Sequence, residues 1–137
     1  MTITLEEVPQ LDLPVQALWQ VKAMVVDGRS PALSALVEWK RYRPDDYKRI
    51  LKAIRLAAME RRLTGARKHV GKNQNPDHGE VYEFIAFTGK ARLMFFYDET
   101  AEAIIVCTNA HEKGNSSQQD AAFARCAAYK SLYLKRP

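Results

Sequence analysis

The 137-residue sequence has little of what marks secreted, membrane or disulfide-stabilised proteins. Its only two cysteines, Cys107 and Cys126, stand in apolar segments without CxxC spacing, which favours buried free thiols over a disulfide or a metal site. No apolar run approaches the roughly 20 residues that a transmembrane helix needs. The N-terminus lacks the basic segment and apolar run of a secretory signal. We therefore expect a cytoplasmic protein.

Familiar catalytic and metal-binding motifs are also missing. The three histidines do not have the spacing of zinc ligands. The sequence contains no P-loop, no G-x-G-x-x-G, no G-x-S-x-G and no H-E-x-x-H motif. The function must therefore be inferred from charge and from the order of the predicted elements.

Positive charge is concentrated in one part of the chain. The net charge is +5, but residues 40–72 contain twelve Lys and Arg against three acidic residues, a local charge of +9. A solvated helix face accounts for this excess, and so does a surface for a polyanion or an acidic protein partner. Both interpretations stay open on the sequence alone.

Local signals in the first half predict one strand and two helices. Residues 18–26 begin with alternating apolar and polar side chains, which predicts a half-buried strand. Ser30 followed by Pro31 is typical of a helix start, with serine as the N-cap. Pro44 ends this helix and begins a second one, whose apolar side chains repeat at helical spacing opposite a basic face.

The second half predicts three strands and a final helix. Residues 80–88, 91–98 and 103–110 are strands with short links, so they should pair antiparallel. The helix begins with a capping box, either Ser116 with Gln119 or Ser117 with Asp120. The fold class is therefore α+β in the order β-α-α-β-β-β-α, with a mainly antiparallel sheet, the helical hairpin on one face and the last helix on the other. We expect an N-terminal arm over residues 1–17 and one domain over 18–137.

This order, together with four short motifs, resembles the RelE/ParE toxin superfamily, and most closely its HigB-like and phage-derived members. The motifs are Val81–Phe84, Arg92–Tyr97, Ile104–Lys113 and Asp120–Tyr129, and the resemblance covers about residues 18–134. The family often has two adjacent lysines after the third strand of this group. Here Lys113 is followed by Gly114, and His111 stands where the family usually has Phe or Tyr.

The resemblance implies a RelE-like fold and the toxin component of a type II toxin–antitoxin system. Such toxins mostly act as metal-independent mRNA endoribonucleases, frequently on ribosome-bound message, and need no cofactor. The implied partners are mRNA and a cognate antitoxin, often a helix-turn-helix protein, with no membrane involved. The alternatives are a ParE-like gyrase inhibitor without nuclease activity, and a non-catalytic phage-derived module that binds nucleic acid or protein.

Three residues are candidates for catalysis. Metal-free RNA cleavage requires proton removal from the 2′-hydroxyl, stabilisation of the phosphorane charge and protonation of the 5′-oxygen. Arg92 is the first candidate to bind phosphate, and its alternative is a salt bridge with Glu83. Lys113 is a second cation or an ordinary exposed lysine. His111 is a general acid or base, or a packed histidine at a strand end.

Further residues are candidates for RNA binding. Lys90 lies in the turn before Arg92 and is either a phosphate contact or a solvated lysine. A polar loop predicted over residues 64–79 contributes Arg67, Lys68, His69 and Lys72, with a simple surface loop as the alternative. Tyr129 is a candidate to stack on a base, although its helical spacing also fits core packing.

Overall fold

The computed structural model describes residues 1–61, 68–100 and 102–136. Within these residues the chain is α+β, with a single six-stranded sheet and three α-helices. A short 3₁₀ helix spans Pro76–His78. The main elements in chain order are β1 (Ile3–Glu7), β2 (Gln20–Val26), α1 (Pro31–Tyr42), α2 (Pro44–Ala58), β3 (Val70–Lys72), β4 (Tyr82–Ile85), β5 (Ala91–Asp98), β6 (Ile104–Glu112) and α3 (Ser116–Leu134).

The sheet is antiparallel except at one junction. The strand order is β1-β2-β6-β5-β4-β3, and only β2 and β6 run parallel in the part of the chain that is described. That junction joins two strands that are far apart in sequence, because the α1–α2 hairpin and three further strands lie between β2 and β6. The predicted α+β class, mainly antiparallel sheet and C-terminal helix are all present.

Two strands were not predicted. β1 lies inside the segment expected to be an arm, and pairs with β2 from Ile3 opposite Val26 to Glu7 opposite Lys22. Val8, after β1, is 5% exposed and belongs to the core. β3 lies in the predicted polar loop and pairs with β4. Both strands are short edge strands, too short for alternation to identify them without knowledge of their partners.

The proline and serine signals predict the first two helices correctly. Ser30 Oγ accepts a hydrogen bond from the Leu33 amide at 3.2 Å, and Pro31 is the first residue of α1. Pro44 begins α2, one residue after Arg43 closes α1. In the first turn of α2, Asp45 and Asp46 lie at the positive end of the helix dipole.

The predicted cap of α3 is wrong by one or two residues. Asn115 is the N-cap: its side chain accepts from the Gln118 amide at 2.9 Å, and Gln118 Oε1 accepts from the Asn115 amide at 3.0 Å. The predicted registers began instead at Ser116 or Ser117. Asparagine and serine cap equally well, so three consecutive polar residues do not define the register by themselves.

Helices cover both faces of the sheet. On one face, α1 and α2 pack over the larger core, in which the Phe84 and Phe95 rings stack with centroids 3.9 Å apart. On the other face, α3 packs over a smaller core that includes Met94, Phe96 and Phe123. We call these the α1/α2 face and the α3 face of the sheet.

The two cysteines are buried free thiols, as predicted. Cys107 lies in the core of the α1/α2 face and Cys126 in that of the α3 face. Burial raises the pKa of both thiols, that of Cys126 to about 12 against an opposing hydrogen bond with Thr108. Neither thiol is therefore suited to nucleophilic chemistry at neutral pH. Among the described residues, no helix is long and apolar enough to cross a membrane.

Candidate functional site

Four of the predicted site residues meet at one end of the β5–β6 hairpin. Arg92 on β5 lies directly opposite His111 on β6. Beyond this pair, the Lys113 amide donates to the Lys90 carbonyl oxygen at 2.7 Å, so these two lysines are also backbone neighbours. Both lysines are exposed. We call Lys90, Arg92, His111 and Lys113 the basic cluster.

A bulge in the hairpin shapes this end of the sheet. The β5–β6 register shifts between Leu93, opposite Ala110, and Phe95, opposite Cys107. At the shift, the Asn109 side-chain amide donates to the Ala122 carbonyl oxygen of α3 at 3.1 Å. The Asn109 side chain at the bulge thus attaches β6 to α3, two residues before His111.

Arg92 is held by the backbone of its own turn. Its side chain is on the α3 face, the residue is only 9% exposed, and Nη1 donates to the carbonyl oxygens of Gly89 (3.1 Å) and Ala91 (2.9 Å). Burial lowers the pKa of Arg92, while the charges of Glu83 and Asp46 act in the opposite direction. An arginine stays protonated under these conditions. Arg92 is therefore a fixed positive charge that also braces the turn.

Glu83 organises the other side of the cluster. It is 3% exposed, and Oε1 lies 3.3 Å from Nε2 of His111. Oε2 accepts from the side-chain amide of Gln119 at 2.6 Å, which links β4 to the first turns of α3. Nδ1 of His111 lies 3.0 Å from the Glu112 carbonyl oxygen. Since both partners of the imidazole are acceptors, both contacts are hydrogen bonds only when the ring is doubly protonated.

Sequence reasoning considered Glu83 only as a salt-bridge partner of Arg92. The structure shows the carboxylate in contact with His111 and Gln119 instead, with Arg92 acting on it through space. The one sequence signal for these contacts was the position of Glu83 inside the apolar Val81–Phe84 motif. An acidic residue within an apolar strand must have buried partners. Gln119 had no such signal.

Asp46 attaches the β4–β5 turn to α2. Its Oδ2 accepts from the amides of Lys90 and Ala91, both at 3.0 Å. The turn approaches so closely that a Cβ added to Gly89 would lie 2.0 Å from Asp46 Oδ1. This contact brings the basic cluster next to the N-terminus of α2.

Lys68 and His69 lie away from the basic cluster, in a groove between α2 and the end of β4. The groove has a volume of about 370 Å³. It is lined by Arg49, Lys52, Ala53, Leu56, Lys68, His69, Ile85, Phe87 and Thr88. Arg67, also a candidate for RNA binding, lies outside the described residues.

Lys72 and Tyr129 do not join the basic cluster. Lys72 is on the edge strand β3, opposite Tyr82. Tyr129 is partly buried against the core of the α3 face, which is the packing role that its helical spacing also fitted. It follows Gln119 by ten residues, about 15 Å along the helix axis.

Within the described part of the chain, no three His, Cys, Asp or Glu side chains are grouped so that they could hold a metal ion. The basic cluster itself offers fixed and mobile cations beside one imidazole. In comparisons with protein-family models, with curated proteins and with solved structures, the chain matches none.

Proposed function

We propose that this protein is a RelE-like toxin of a type II toxin–antitoxin system that cleaves mRNA without a metal ion. The observation that carries the proposal is the basic cluster, in which one guanidinium group, one imidazole and two exposed lysines meet at one end of a hairpin. A site of this composition suits a reaction whose transition state gathers negative charge on a phosphate.

The members of the cluster have three roles in the proposed reaction. The exposed ammonium groups of Lys90 and Lys113 bind the scissile phosphate and stabilise the phosphorane. The buried charge of Arg92 keeps the potential at this point positive. His111, held by Glu83 and the Glu112 carbonyl, transfers a proton to or from the RNA. Glu83 acts through His111, so it is a positioning residue.

The proposed partners come from the family resemblance, and the excess of positive charge supports them. The toxin would act on mRNA, on the ribosome or free, and a cognate antitoxin of the helix-turn-helix type would neutralise it by covering basic surface. The local charge of +9 over residues 40–72 makes affinity for RNA strongly dependent on salt.

The test is cleavage of single-stranded RNA by the purified protein in the presence of EDTA. We expect His111→Gln to reduce the rate by about 100-fold or more, because general acid–base catalysis contributes a factor of about 10² to 10⁴. Lys113→Ala should also reduce cleavage. Lys135→Ala, which removes an exposed lysine just after α3, is the matched control and should cleave normally. Addition of ribosomes tests whether the activity depends on them.

Induced expression in a bacterial host tests the toxin itself. We expect growth arrest with rapid loss of mRNA, and relief of both in the His111→Gln/Lys113→Ala variant. Arrest with intact message, unchanged in that variant, would contradict the ribonuclease and favour a ParE-like action on gyrase.

One observation favours a second candidate, a non-catalytic binding module. Arg92, the first candidate to bind phosphate, directs Nη1 at two backbone carbonyl oxygens, so part of its hydrogen-bonding capacity stabilises the turn. A protein that binds RNA tightly but cleaves it neither alone nor with ribosomes would support this second function.

A further inference from the structure

The groove between α2 and the end of β4 combines features that suit one unpaired nucleotide. Its apolar lining is formed mainly by Ala53, Leu56 and Ile85. Phe87 lies at its edge and is 51% exposed, which is unusual for a phenylalanine. Its volume of about 370 Å³ is within the range of small-ligand sites.

The polar rim of this groove is basic. Arg49, Lys52 and Lys68 are exposed, His69 is half-buried, and none of the nine lining residues is acidic. Arg49 lies 3.6 Å from Asp46 Oδ1 and His69 lies 3.7 Å from Glu60 Oε1, so Lys52 and Lys68 are the cations best placed for a phosphate. The Lys68 ammonium lies 5.4 Å from the centroid of the Phe87 ring, so a cation and an aromatic face occur side by side. Aromatic rings with flanking cations are the combination that binds bases and phosphates of single-stranded nucleic acid.

We propose that this groove binds one base of single-stranded RNA, stacked on Phe87, with the flanking phosphates on Lys52 and Lys68. The inference rests on the proposed function in one respect: it takes RNA as the substrate class. It adds a binding site separate from the basic cluster, and a residue, Phe87, that had no role in the proposed cleavage.

The β4–β5 turn joins the two sites. Phe87 and Thr88 line the groove, and Lys90 in the same turn belongs to the basic cluster. The three peptide units between Phe87 and Lys90 span at most about 11 Å. Asp46 anchors this turn to α2 through the Lys90 and Ala91 amides. One strand of RNA can therefore contact both sites, and the base in the groove would select the position of cleavage.

The experiment measures binding separately from cleavage. A fluorescent 2′-O-methyl RNA hexamer has no free 2′-hydroxyl and cannot be cleaved by the proposed route, so its anisotropy reports binding alone. We expect Phe87→Ala to weaken binding by about tenfold, since base stacking on an aromatic ring contributes about 1–3 kcal/mol. Phe87→Tyr should bind as the unaltered protein does. A hexamer with abasic positions should bind the unaltered protein and Phe87→Ala with equal affinity.

The chain offers a matched control. Tyr42 is 67% exposed at the end of α1, with the Arg41 guanidinium 5.1 Å from its ring centroid, so it has the same aromatic and cationic pairing outside the groove. Tyr42→Ala should leave hexamer binding unchanged. Lys52→Ala and Lys68→Ala should each reduce the slope of log affinity against log salt by about 0.7.

Three results would overturn the inference. They are unchanged binding in Phe87→Ala, an equal loss with the abasic hexamer, and binding of an acidic amphipathic peptide in the groove without binding of the hexamer. The last would assign the groove to a protein partner. If the protein binds RNA but does not cleave it, Phe87→Ala should still weaken hexamer binding while natural RNA stays intact. That result would contradict the proposed cleavage and support the binding site.

Discussion

The two faces of the sheet are built on different principles. The α1/α2 face is packed almost wholly with apolar side chains, and its buried polar groups, Ser30 and Asp46, lie at helix starts. The α3 face has an apolar centre but buries several polar side chains along β4, β5 and β6: Glu83, Arg92, Asp98, Thr108 and Asn109. Burying such groups is costly unless each has a partner, so the α1/α2 face supplies stability and the α3 face holds specific polar contacts.

This difference explains where the candidate site lies. Apart from Thr108 and Asn109 at the bulge of β6, the polar residues of the α3 face fall into two groups, one near each end of β5. At one end, Asp98 contacts Tyr133 of α3; at the other, Glu83 contacts both His111 and Gln119 of α3, and Arg92 lies opposite His111. The first group is closed by its own hydrogen bonds. The second is bordered by exposed lysines, which makes it accessible to a ligand.

The largest effect on stability should come from the α1/α2 face. Phe84 is fully buried and stacks on Phe95, so Phe84→Ala removes a large apolar side chain and leaves a cavity. We expect a loss of about 4 kcal/mol in the free energy of unfolding, measured by urea denaturation. Phe87→Ala is the matched control, and should change stability by less than about 0.5 kcal/mol because Phe87 is exposed. Equal losses in the two variants would contradict the assigned core.

An intermediate effect should come from the closed polar pair of the α3 face. The Tyr133 hydroxyl donates to Asp98 Oδ2 at 2.6 Å. Burial acts to raise the pKa of Asp98, but hydrogen bonds from Thr100 and Tyr133 outweigh it and leave the pKa below its ordinary value. Tyr133→Phe should therefore cost about 2 kcal/mol near neutral pH.

The pH dependence of that variant follows from the sign of the shift. A carboxyl group whose pKa is lowered on folding contributes stability above its ordinary pKa of about 3.9, and loses that contribution as pH falls through the lower folded-state pKa. The difference between the unaltered protein and Tyr133→Phe should thus be full above about pH 5 and shrink toward pH 2. Urea denaturation at several pH values measures it. A difference that grows on acidification would contradict the assignment.

The smallest effect on stability should come from the N-cap of α3. It distinguishes the observed cap, Asn115, from the predicted cap, Ser116. Asn115→Ala removes the side chain that accepts from the Gln118 amide, and should cost about 1 kcal/mol. Ser116→Ala changes the residue expected to be the cap, and should cost less than about 0.5 kcal/mol. Thermal unfolding of the two variants distinguishes them, and the reverse order would restore the Ser116 register.

Much of the fold could be predicted because its signals are local. Ser30-Pro31 and Pro44 mark the helix starts through the conformation of a few neighbouring residues, and they do so correctly. The three central strands of the second half were found because apolar runs between turn residues extend over only a few positions. β1 and β3 were missed because short edge strands are defined by the strands they pair with.

In the candidate site, too, the sequence revealed the residues with local signals but not the contacts between distant segments. The sequence and the family resemblance singled out Arg92, His111 and Lys113 one by one, and each belongs to a short recognisable stretch. They did not reveal that Lys90 lies opposite Lys113, since that depends on the register of β5 and β6. They also did not reveal the groove, since Lys52, Lys68 and Phe87 come from three separate segments.

The sequence by itself therefore determined the three helices, the starts of α1 and α2, four of the six strands, the free buried cysteines and the excess of positive charge. Only the tertiary structure decided which charges are exposed and which are buried. Glu83 meets His111 across 28 positions, and Asp46 meets Lys90 across 44. Such contacts depend on strand register, on a bulge and on helix docking, and these are set by the packing of the whole chain rather than by neighbouring residues.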